Sequence, residues 1–161
     1  YLGIQPAQAT TTLAFISLSF LVFAIPAGII GTKIGKKNTI RMGVGLAVIL
    51  TLALYLLKPQ QSNMLLYMRI LFLGVGFAWA SININSYPLV ADMSPLGLLG
   101  TYTGVYYLFS SIANIISPVL LGFLIDVIGY QVVFLYGAFF FGLAFFFISQ
   151  VHDKRAENGN D

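Results

Sequence analysis

Five long apolar stretches dominate this chain, and together they leave it almost no choice of environment. They run roughly over residues 11–31, 39–57, 64–91, 100–125 and 131–150. Each is long enough to cross a bilayer, which takes about 20 residues in a helix. Only 13 of the 161 residues carry a charge, 8 basic and 5 acidic. That is 8%, against about 25% in a soluble domain. A soluble core with five such helices in a row would have too little polar surface to cover it. Lipid cannot satisfy an exposed backbone, and no closed-barrel alternation is visible, so all five stretches are expected to be helices. The fold class is therefore an all-α integral membrane protein with five transmembrane helices.

Short polar connections separate the spans, at 32–38, 58–63, 92–99 and 126–130, and a polar tail, 151–161, follows the last. Five spans put the two chain ends on opposite sides of the membrane. The first connection carries Lys33, Lys36 and Lys37, with Arg41 close by, and the tail carries Lys154 and Arg155. Excess Lys and Arg mark the cytoplasmic side. The first connection and the tail are thus expected inside, and Tyr1 outside. The net charge of +3 reads as topology rather than affinity for nucleic acid.

The chain offers little for catalysis. It has no Cys, and its one His, His152, lies in the tail. No thiolate or His-based metal site or triad can be assembled from that, so no enzyme activity, cofactor or metal is expected.

The end of the first span and the end of the fourth resemble each other at an offset of 94 residues. Gly28 aligns with Gly122, Thr32 with Asp126 and Gly35 with Gly129. Three spans separate the copies, so they lie on opposite faces of the membrane. Inverted three-helix repeats of this kind mark transporters.

Two spans carry polar side chains at helical spacing. In the third, Trp79, Asn83 and Tyr87 recur every four residues and so share one face. An amide in hydrocarbon is costly unless bonded. That face is expected to turn into the bundle or toward water, where Trp can stack on a sugar and Asn can bond its hydroxyls. Helix–helix bonding is the competing role for Asn83, and the expected one for Asn85, which is off that face. In the fourth span Tyr106, Ser110 and Asn114 repeat the spacing, either as an opposite wall or as packing. Pro88 is expected to kink its helix. Arg69, about five residues into the third span, is expected to snorkel to the interface, a carboxylate or solute partner being the alternative. The fifth span, with seven Phe from Phe134 to Phe147, and the plain second span read as lipid-facing.

The first connection, with Gly28, Lys33, Gly35 and Lys37, resembles the loop signature of the major facilitator superfamily. Thr32 stands where that signature has an acid. The stretch from Gly76 to Pro88, with its Trp79-Ala80 pair, resembles helix 10 of the sucrose and glycoside–pentoside–hexuronide symporters. The run from Gly100 through Tyr106 and Tyr107 to Gly122 resembles helix 11. The resemblance implies helices 8–12 of a twelve-helix transporter built from inverted three-helix repeats. The alternative placement is helices 2–6, whose counterparts in those symporters carry acidic coupling residues inside the membrane. Here no Asp or Glu lies mid-span, which favours the C-terminal half.

On that resemblance the chain would be part of a multi-pass protein of the plasma membrane or cell inner membrane. It would carry a small polar solute, a sugar or glycoside, coupled to a proton or sodium. The solute would meet Trp79, Asn83, Tyr87, Tyr106, Ser110 and Asn114. A conformational loop would involve Gly28, Lys33, Gly35, Lys37 and, in the second copy, Asp126. The partners would be the lipid bilayer, the solute with its ion, and the missing N-terminal half. A non-transporting scaffold or receptor with the same fold is the alternative. The orientation is checked by cysteines placed at Lys36 and Gln60 of the full-length protein. An impermeant reagent added outside the cell should label position 60 and not position 36.

Overall fold

The computed structural model describes residues 5–57 and 63–151. Tyr1, the tail with Lys154 and Arg155, and most of the second connection, including Lys58, lie outside the described residues. Five helices follow one another: α1 (Pro6–Ile34), α2 (Lys36–Leu56), α3 (Met64–Met93), α4 (Leu99–Ile128) and α5 (Val132–Gln150). Each is long and apolar enough to cross a membrane.

The helices reach further than the hydropathy suggests. α1 begins five residues before the apolar run, with Pro6 at its first turn, where a missing N–H costs nothing. Its polar start stays helical because Thr11 and Thr12 donate their hydroxyls to Ala7 O (2.8 Å) and Gln8 O (2.7 Å). The seven-residue connection expected at 32–38 shrinks to Gly35, with φ 88° and ψ 142°, a conformation that glycine adopts without strain. The orphaned carbonyls at the end of α1 are met locally. Asn38 Nδ2 donates to Ile34 O at 2.9 Å, and Gly35 O accepts from both the Thr39 N–H and the Thr39 hydroxyl. Gly129 ends α4 in a similar backbone, φ 100° and ψ 172°. The aligned glycines of the repeat therefore do the same job. Gly28 and Gly122 do not share surroundings: Gly28 faces Ile84 of α3, and Gly122 stands in open space.

α3 is the central helix, and small residues make it so. A methyl group at Gly76 would lie 2.5 Å from both Ile16 O and Ser19 Cβ of α1. On the other flank, one at Gly43 of α2 would lie 2.8 Å from Ser81 Cβ and 2.9 Å from Ala78 O. Ala78, Ala80 and Ser81 are wholly buried. α1 and α2 thus both touch α3 at backbone distance, the packing that membrane helices favour in the absence of a hydrophobic drive between them. Ser19 adds a hydroxyl bond across to Leu73 O. Apolar clusters fill the ends: Leu54, Met64, Met68 and Phe72 at one, Ile40, Val44 and Leu89 at the other.

One expectation needs correction. α2 is not a plain lipid-facing helix. It lies between α3 and α5, with Phe141 and Ile148 of α5 packed on its Ile40–Val44 end. Its all-round apolar sequence hides this, since no polar face distinguishes lipid from protein. Pro88 lies inside α3, which continues past it to Met93. α4 is attached only thinly, to α3 and to α5, and none of its residues is buried.

Close packing at Gly76 sets a prediction. Gly76→Ala in the full-length protein should force α1 and α3 apart and cost about 1–3 kcal/mol of stability. Gly28→Ala should be tolerated, because its methyl would meet only Ile84 Cγ2, at 3.5 Å. Thermal unfolding in detergent checks the pair, and equal midpoints would contradict this packing.

Candidate functional site

The two asparagines of α3 separate cleanly. Asn85 is 3% exposed and its Nδ2 donates to Ala27 O of α1 (3.2 Å) and Ser81 O (3.0 Å). It fits only because Gly31 opposite has no side chain: a methyl there would overlap the amide. Asn85 is a bond between helices. Asn83 is exposed, and its Nδ2 donates to Trp79 O of its own helix at 3.0 Å. Trp79 beside it is 46% exposed. These two side chains hold no neighbouring helix in place.

Tyr87, one turn further on, faces α4. Its hydroxyl lies 3.4 Å from Thr103 Oγ1, and its ring sits 6.0 Å from Tyr106 and 6.1 Å from Tyr107. Tyr106 and Tyr107 meet edge to face at 5.2 Å. Beside this cluster a cavity of about 610 Å³ opens between the end of α3 and the first half of α4. Val90, Tyr102, Tyr106, Phe109, Ser110 and Ala113 line it. Its wall is mainly apolar and aromatic, with a few hydroxyls.

The structure therefore brings Tyr87 and Tyr106 together and puts Ser110 in the same cavity wall. Trp79, Asn83 and Asn114 lie outside that wall. α3 and α4 run antiparallel here, so the Tyr87 contacts set the register. Asn83 then stands level with residues 107–111 of α4, and Trp79 with residues 111–115, which include Asn114. Of the six residues, Tyr87 and Tyr106 are the pair that meet.

At the glycine turn the charged partner differs from the expected ones. Lys36, the first residue of α2, pairs with Asp92 in the last turn of α3. Asp92 sits where the helix dipole disfavours an acid, and the cation offsets that. Lys33 is exposed in the last turn of α1, and Lys37 is partly exposed. Thr32, in the acidic position, returns its hydroxyl to Ile29 O of its own helix (2.8 Å). Asp126 is exposed near the end of α4. Sequence spacing missed the Lys36–Asp92 pair, since 56 residues separate its members. The available signal was topological: both sit at span ends on one side of the membrane.

Arg69 lies against α1. Its guanidinium carbon lies 5.5 Å from the centre of the Phe15 ring of α1, and its Nε is buried without a hydrogen-bond partner. The ring attracts the cation, while the residue as a whole stays partly exposed.

Comparison with known proteins agrees with this architecture. The family model described as Major Facilitator Superfamily matches residues 1–161. An "Uncharacterized MFS-type transporter" of Methanocaldococcus jannaschii is 28% identical over 122 residues, 76% of this chain and 29% of that protein. A "Probable nitrate transporter" of Staphylococcus epidermidis is 28% identical over 119 residues, 74% of the chain and 30% of that protein. A "Probable galactarate/D-glucarate transporter" of Escherichia coli is 26% identical over 93 residues, 58% of the chain and 19% of that protein. The chain spans less than a third of the length of these curated relatives. No solved structure matches it. With five membrane-length helices and a family match along its whole length, the chain is a multi-pass membrane protein of the major facilitator superfamily.

Proposed function

We propose that the transporter containing this chain moves a small polar solute across the membrane by alternating access, and that α3 and α4 supply one wall of its path. The observation that carries this is the contrast along α3. Asn85, Ser81 and Ala78 are packed away against α1 and α2. Trp79 and Asn83 are left exposed, and Tyr87 meets Tyr106 of α4. Aromatic faces beside amide and hydroxyl groups suit a hydroxyl-rich solute such as a sugar or sugar derivative. The relatives named for galactarate and D-glucarate fit that class, since both are sugar acids. The relative named for nitrate widens it to small oxyanions.

The other half of the path would come from the remainder of the transporter, which would also hold the coupling acid for a proton or sodium. Within the described residues Asp92 and Asp126 stand at helix ends and none stands mid-span. The Gly28–Lys37 turn, with Gly35 as its pivot, would brace one side of the membrane. Lys36–Asp92 ties that turn to α3, and Lys33 and Lys37 are left to face lipid or the other half. Asp126 and Gly129 would mark the equivalent turn on the opposite side.

Uptake by the full-length protein in proteoliposomes tests this reading, with D-glucarate, nitrate and D-glucose as solutes, with and without proton and sodium gradients. Asn83→Ala should leave insertion intact and weaken the transported solute about fivefold to a hundredfold, from the about 1–3 kcal/mol that a lost polar partner costs. Unchanged affinity with normal expression would return Asn83 to a packing role.

A further inference from the structure

Arg69 is a permanent cation inside a membrane helix, and such a residue needs a reason to be there. It lies five residues into α3, about 7.5 Å below the helix start by the helical rise. The cross-helix contacts Ser19–Leu73 and Asn85–Ala27 put Phe15 level with residues 69–73 of α3. A guanidinium over Phe15 has therefore been laid across toward α1 at its own depth. The Phe15 ring carries no oxygen or nitrogen acceptor, so the guanidinium N–H groups remain as donors. Nε is buried with no hydrogen-bond partner, and Arg69 makes no ion pair within the described residues. Lys36 and Asp92 pair with each other at the opposite end of the bundle. Gln8 and Thr11 occupy the same face of α1 as Phe15, seven and four residues before it, and both are exposed. The result is a guanidinium held near an aromatic ring with a buried, unpartnered Nε.

We propose that Arg69 is the recognition point for an oxyanion near the end of the bundle opposite the Lys36–Asp92 pair. A planar fork of N–H donors matches a carboxylate or nitrate group bidentately. Contact with Phe15 restrains the side chain before any oxyanion arrives. The oxyanion is either part of the solute or an acidic side chain from the rest of the transporter. Only in the first case does the proposal rest on the transport reading, and it then narrows the solute to an anion.

The test uses the purified full-length protein and its thermal unfolding midpoint at constant ionic strength. D-glucarate and nitrate are the probes, with D-glucose as the neutral control. For a solute oxyanion, one of the two anions raises the wild-type midpoint by about 2 °C or more at saturation. Arg69→Gln abolishes that shift, and Arg69→Lys, which keeps the charge and loses the fork, retains only part of it. For a side-chain oxyanion, neither anion moves the wild type. Arg69→Gln then lowers the midpoint in buffer alone, and does so equally when Phe15 is replaced by Leu. The proposal is overturned if Arg69→Gln matches the wild type in both midpoint and anion response. It is also overturned if its loss of stability vanishes in the Phe15→Leu background, for then the cation only packs on the ring. Should Arg69→Gln not fold, an anion response in Arg69→Lys equal to the wild type contradicts a bidentate fork. Uptake separates the two readings: flux that survives an indifferent Arg69 rejects this inference alone, and anion binding without flux rejects transport alone.

Discussion

The structure depends on how closely two helices can approach α3. Lipid tails are as apolar as leucine side chains, so burial from water does not drive these helices together. What remains is contact at short range and hydrogen bonding across it. Gly76 admits the α1 backbone at Ile16, and Gly43 admits α3 at Ala78 and Ser81. Gly31 makes room for Asn85, which bonds Ala27 O. α1, α2 and α3 become one slab through these few small residues, and α5 extends it by packing on α2.

That slab decides which side chains are free. The faces of α3 turned toward α1 and α2 are consumed by packing. The remaining face carries Trp79, Asn83 and Tyr87, of which Tyr87 meets α4, a helix with no buried residue. A 30-residue apolar helix held by a tyrosine cluster at one end and a Ser117–Tyr136 bond further along is not packed for its own sake. Beside that cluster opens the cavity lined by Val90, Tyr102, Tyr106, Phe109 and Ser110, an aromatic and hydroxyl wall of the kind proposed for the solute path. At the far end of α3 the same slab fixes Phe15 beside Arg69.

Much of this was legible in the sequence, for reasons that can be named. Apolar length identified the five spans, because lipid tolerates little else. Four-residue spacing separated Asn83 from Asn85, because helical geometry puts them on different faces. Helix ends were less legible, since residues 6–10 before the apolar run are already helical, their carbonyls at Ala7 and Gln8 accepting the Thr11 and Thr12 hydroxyls. The turn at Gly35 looked like a loop of several residues because Lys36, Lys37 and Asn38 read as polar linker, yet they begin α2. The place of α2 was hidden, because a helix apolar all round does not announce which side meets protein. The Lys36–Asp92 pair and the contact of Arg69 with Phe15 both join distant parts of the chain, which periodicity within one span cannot reveal.

The central claim is that the exposed face of α3 meets water rather than lipid. Thiol-directed methanethiosulfonates react with the thiolate, which forms only where water reaches. This chain has no cysteine, so single cysteines can be introduced into it one at a time once any in the rest of the transporter are replaced. The informative pair is position 83 on α3 and position 146 on α5, where Phe146 is 59% exposed in a row of phenylalanines. Measured in the membrane-embedded full-length transporter, cysteine at 83 should react readily and cysteine at 146 should stay inert. A cysteine at 83 as unreactive as the one at 146 would mean that this face lies against lipid or protein, and would contradict the account.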